Sequence, residues 1–113
     1  MDRLEYFKSL LEKTPDNPIL HYSLALEYHK LRDYQNTIRH MEKYLSLKED
    51  EGAGYRVLAK CYEELGEYEK AIEVLQEGVQ KALKHNHPSM AEEFRSWIEQ
   101  LRSWRLVSEN IDT

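Results

Sequence analysis

At 113 residues the chain has room for one domain, burying roughly 65% of its unfolded surface without help from disulfides or metal. Its 41% apolar and 33% charged residues exclude a disordered tail. A net charge of −5 excludes a general nucleic-acid binder, which needs an excess or a stripe of Lys and Arg to neutralise phosphates, and one cysteine, Cys61, excludes an internal disulfide.

The first stretch, MDRLEYFKSLLEK, is charged and amphipathic. It has no apolar h-region and no small-residue cleavage site, so it does not read as a secretory signal. No run approaches eighteen apolar residues, so no membrane span is expected. These features predict a cytoplasmic protein in a reducing compartment. Residues 1–17 divide into a helix over 2–13 and a TPDNP linker.

Next comes a repeat. Residues 18–51 and 52–85 match when the chain is shifted by 34 residues. Leu24, Ala25, Tyr28, Leu31, Tyr34 and Ile38 fall on Leu58, Ala59, Tyr62, Leu65, Tyr68 and Ile72. The matches are apolar, aromatic or small, and the mismatches are mostly polar. That is the pattern of one packing unit used twice with its exposed faces free to vary. Within the second copy, Tyr55, Leu58, Ala59, Tyr62 and Leu65 make one helical stripe, and Tyr68, Ala71, Ile72, Leu75 and Val79 make another. Gly66 lies between them, where a helix end takes a left-handed residue. The first copy has Arg32 there, at a cost on the order of 1 kcal/mol if its backbone is left-handed.

Within the C-terminal capping segment, residues 86–107, Ser89 is placed to cap the helix MAEEFRSWIEQLRSW, whose Met90, Phe94, Trp97, Ile98, Leu101 and Trp104 share a stripe. Residues 108–113 read as a frayed tail.

HYSLALEY and YRVLAKCY, the turns LRDY and LGEY, and the pairs Thr37-x3-Met41 and Ala71-x3-Leu75 closely resemble the tetratricopeptide repeat. The departures are His21 for a large aromatic, Thr37 for alanine and Tyr44 for a small residue, which predict looser packing in the first copy. Shifted back by 34, Met41, Tyr44 and Leu45 land on Phe7, Leu10 and Leu11, so the first helix resembles the second half of a unit. The resemblance implies an all-α fold: a short right-handed solenoid of six antiparallel helices, closed by its terminal helices.

A catalytic set is not found. His21, His29, His40, His85 and His87 lack HExxH or zinc-finger spacing. Cys61 is followed by Glu63 and Glu64, the wrong electrostatics for a thiolate nucleophile. No enzyme, metal or cofactor is expected.

The resemblance implies a concave face, lined by the first helix of each pair, that binds a peptide or helix of a partner protein. Its candidates here are Tyr22, Leu26, His29 and Lys30 from the first copy and Arg56 and Lys60 from the second. Arg56 and Lys60, four apart, share one helix face and suit an acidic partner; alternatively they pair with Glu63 and Glu64. The chaperone-binding carboxylate clamp of some family members does not carry over, because Tyr22, Leu26 and Val57 occupy its positions. No nucleic-acid or membrane partner is expected. The second reading is a homo-oligomer or assembly subunit associating through Leu4, Phe7 and Leu11 or through Trp97 and Trp104.

Overall fold

The computed structural model describes residues 1–111, and among them the regular structure is entirely helical. The chain divides into two compact units, residues 1–49 and the remainder from Asp50 onward.

The first unit holds α1 (Arg3–Lys13), α2 (Pro18–Lys30) and α3 (Tyr34–Leu47), with α2 packed on both α1 and α3. Asp2 caps α1 by accepting the Glu5 N–H at 2.8 Å, and Asn17 caps α2 ahead of Pro18, where a missing N–H costs nothing. The α2–α3 core is Leu20, Leu24, Ala25, Tyr28, Met41 and Tyr44, the stripe set by helical spacing. Nothing in α1 is buried; Phe7, Leu10 and Leu11 are half-covered.

The three departures from the repeat pattern do not loosen this core. Thr37 is fully buried and its hydroxyl donates to the Asp33 carbonyl at 2.8 Å. Tyr44 meets Tyr22 edge-on at 4.9 Å. His21 is buried and hydrogen-bonded at both ring nitrogens. Each larger or more polar side chain brings its own partner, and among the described residues no buried side-chain nitrogen or oxygen is left unpaired.

The second unit holds α4 (Ala53–Glu64), α5 (Tyr68–Lys84) and α6 (Pro88–Ile111), with α5 packed on both neighbours. Its core runs from Tyr55, Leu58, Ala59 and Tyr62 through Ala71, Ile72, Leu75 and Val79 to Phe94, Ile98 and Leu101. Buried Asp50 accepts the N–H groups of Gly52 at 2.7 Å and Gly54 at 2.9 Å, satisfying donors at the start of α4.

The C-terminal helix differs from expectation at both ends. It starts at Pro88, whose ring suits the first helical turn, and the Ala91 N–H donates to the His87 carbonyl at 3.1 Å, so Ser89 lies inside the helix and not at its cap. It continues through Ser108 to Ile111; the rest of the expected tail, Thr113 included, lies outside the described residues.

Both turns are left-handed at the same place. Gly66 has φ 76° and Arg32 has φ 59°. Arg32 is exposed, and its Cβ crowds its own carbonyl there. Arg32→Gly is therefore expected to stabilise the protein by about 0.5–1 kcal/mol, the relief of strain less the entropy glycine adds to the unfolded chain. A urea midpoint that stays put or falls in this variant would contradict that account.

Candidate functional site

Within the second unit, α4 and α6 form the two walls of a groove of ≈ 700 Å³. It is lined by Arg56, Lys60 and Glu63 of α4 and by Glu93, Trp97 and Trp104 of α6, with Ser96 and Gln100 between them. Helical spacing explains both walls. Arg56, Lys60 and Glu63 are four and three residues apart, as Glu93, Trp97 and Trp104 are four and seven apart, so each set lies on one face.

The polar groups of the groove are tied together. Arg56 holds Glu93 through Nε and Nη2 at 2.8–3.0 Å, and its guanidinium lies over the Phe94 ring, 5.4 Å from the centroid. Lys60 pairs with Glu63 at 3.0 Å. The Trp97 indole N–H donates to the other Glu63 oxygen at 2.9 Å. Both cations thus have carboxylate partners, and Lys60 alone finds its partner at surface spacing on its own helix. The Arg56 partner lies on another helix, 37 residues away. Arg56 and Lys60 keep 41% and 54% of their side-chain surface exposed, so their exposed donors remain within reach of an incoming group.

The first-unit candidates have different surroundings. Tyr22 is half-buried against Tyr44. Leu26 is half-buried. His29 is half-buried with its ring edge-on to Tyr34 at 6.3 Å. Lys30 is exposed and pairs with Glu27 at 3.4 Å; both line a pocket of ≈ 560 Å³ with Met1, Arg3, Leu4 and Leu31. Arg3 binds the same Glu27 oxygen at 2.7 Å.

Cys61 carries no chemistry. It is buried, and desolvation, then Glu64 and Glu67, push its thiol up to about 12, so the thiolate is absent at neutral pH. Among the described residues no group of three or more His, Cys, Asp or Glu side chains is arranged to hold a metal ion. No helix among them is long and apolar enough to cross a membrane.

Glu93 was not among the contact residues read from the sequence, and Trp97 was read there only as a surface for self-association. The repeat did not point to them, because its 34-residue register does not hold in α6. Its Glu92 and Glu93 occupy the register of buried Leu58 and Ala59, and both are exposed.

A tetratricopeptide repeat model matches residues 28–91, more than half of the chain. The chain belongs to the tetratricopeptide repeat family. A protein from Bordetella parapertussis, known from its solution structure, has the same fold with a TM-score of 0.80 at 15% identity, over 97% of this chain and 96% of that one. At that identity the likeness speaks for the fold alone. As a tetratricopeptide repeat protein the chain is a non-catalytic scaffold of a kind generally used for protein–protein interaction.

Proposed function

We propose that this tetratricopeptide repeat protein binds an acidic peptide segment of a partner protein, and that the α4–α6 groove is where the second unit receives it. The observation that supports this most is the pairing of two exposed cations, Arg56 and Lys60, with two tryptophans in one groove. A carboxylate of the peptide replaces Glu93 or Glu63 on its cation, and a neighbouring apolar side chain lies on Trp97 or Trp104. Exchange of one exposed ion pair for another is worth little by itself, so the aromatic surface supplies affinity and the charges supply selectivity. Tyr22, Leu26, His29 and Lys30 are the first unit's candidate contacts.

Selection of a random peptide library on the protein and on its Arg56→Glu/Lys60→Glu variant tests this reading. The wild type is expected to enrich acidic peptides containing an apolar residue, with binding that weakens in salt and quenches tryptophan fluorescence. The variant, shown folded by circular dichroism, is expected to lose them at least tenfold. Equal retention by both would remove the groove from consideration.

A second reading has its own support. Trp104, Leu106, Val107 and Ile111 are 41%, 55%, 56% and 78% exposed along the end of α6. An apolar surface of this kind suits association of two copies. A molar mass that stays monomeric as concentration rises would dismiss it.

A further inference from the structure

α6 carries a second stripe beside the one that packs on α5. Ala91, Phe94, Ile98 and Leu101 are its buried residues. Next to them on the helix, Glu93, Trp97, Gln100, Trp104, Val107 and Ile111 follow one another in alternating steps of four and three. That is the period at which one helix seats another.

The first half of this stripe is the α6 wall of the groove, where Trp97 donates to Glu63, next to the last residue of α4. The second half runs past both neighbouring helices. Tyr68 and Glu69, at the start of α5, meet Trp104 and Arg105, so residues 106–111 project beyond α5. Val107 and Ile111 are exposed there.

Charge is missing from this face although the helix is rich in it. From Phe94 to Ile111 the stripe is flanked by Ser96, Ser103 and Asn110 on one side and by Phe94, Leu101 and Ser108 on the other. The charged residues point elsewhere. Arg95, Glu99 and Arg102 border a separate pocket against α5, Arg105 pairs with Glu69, and Glu109 lines a pocket with Glu67 and Lys70. A charged flank repels its own copy across a two-fold axis, whereas serine and asparagine do not, and their small side chains let two helices approach. A charged foreign helix would find nothing on these flanks to pair with.

The stripe is also complementary to itself. Set antiparallel about a two-fold axis, Trp97 faces Val107 of the second copy and Trp104 faces its Gln100, so each tryptophan meets a smaller side chain. Ile111 reaches Glu93 of the other copy, a carboxylate that Arg56 already holds. A parallel pair would instead set each tryptophan against its own bulk. We propose that α6 pairs antiparallel with α6 of a second copy along this stripe and so closes the α4–α6 groove. The pairing rests on association of two copies, and it competes with the acidic peptide, because both use Trp97 and Trp104.

Molar mass and cross-linking of the full chain test this together. Sedimentation should show a monomer–dimer equilibrium. Val107→Lys changes an exposed position past the ends of α4 and α5, so it should raise the dissociation constant roughly tenfold or more with the circular dichroism spectrum unchanged. Single cysteines then read the geometry with a short bis-maleimide, with the wild type, whose Cys61 is buried, as the control. Antiparallel pairing brings Ser103 beside its own copy and Ser96 beside Asn110 of the other. Ser103→Cys should therefore link to itself. Ser96→Cys and Asn110→Cys, each roughly 20 Å from its own copy along the axis, should link only when the two variants are mixed. Self-linking at all three positions would mean parallel pairing and overturn the proposal. A dimer that none of them links, or that Val107→Lys leaves intact, would also overturn it while two-copy association stands. A strict monomer at the highest attainable concentration would dismiss two-copy association and the pairing with it.

Discussion

Phe94→Ala is expected to destabilise the second unit by about 3–5 kcal/mol, the largest effect of any single truncation considered for this chain. Phe94 is fully buried and meets three different kinds of neighbour. The Trp97 ring stands edge-on to it at 6.4 Å, the Arg56 guanidinium lies over it, and its edge closes on Gly78, where an added Cβ would come within 2.9 Å of the ring. Truncation removes the transfer energy of the ring and leaves a cavity that the rigid α5 backbone at Gly78 is poorly placed to fill. The urea midpoint should fall, and the emission of Trp97 should change as its packing partner disappears. The same geometry predicts non-additivity. Gly78→Ala alone should cost about 1–3 kcal/mol through overpacking, and less in the Phe94→Ala background, where the opposing ring is gone. Equal costs in both backgrounds would mean that the Gly78–Phe94 approach is not what constrains α6.

Gly52→Ala is expected to be the next most damaging change, at about 2–5 kcal/mol, with two separate causes. Gly52 has φ 147°, a conformation that a residue with a side chain rarely adopts. An added Cβ would also lie 2.1 Å from the Met90 sulfur. Met90→Ala separates the two causes, because it removes the obstacle and leaves the backbone strain. Gly52→Ala should cost less in that background but remain unfavourable. Complete rescue would show that the backbone tolerates alanine and that crowding was the whole cost. The turn is also where Asp50 holds the first N–H groups of α4, so a shift there loosens the helix that carries Arg56 and Lys60.

Much of the architecture was legible before any coordinates. Tyr28, Leu58, Ala59, Tyr62, Ile72 and Leu75 are buried where the 34-residue match and the helical period put them, because the period of a helix is a local property and a repeated packing unit reuses it. Left-handed Arg32 was legible for the same reason: Gly66 marks the position one period later. The helix starting at Pro88 was less so. Ser89 is a good cap and Pro88 a good first residue, and two adjacent local signals cannot both be honoured.

The sequence by itself determined the helices, their order, the repeat and the faces that must be buried. It also excluded the chemistry of Cys61, since acidic neighbours are visible in the chain. Only the tertiary structure decided which polar groups meet. Arg56 takes Glu93 and not a neighbour on α4, Trp97 donates to Glu63, and His21 faces His40 across two helices. Apolar burial is nearly non-directional, so a pattern of residue types suffices to announce it. A hydrogen bond depends on tenths of an ångström and on which atom holds the proton. That information belongs to the relative placement of helices, and no spacing along one of them contains it.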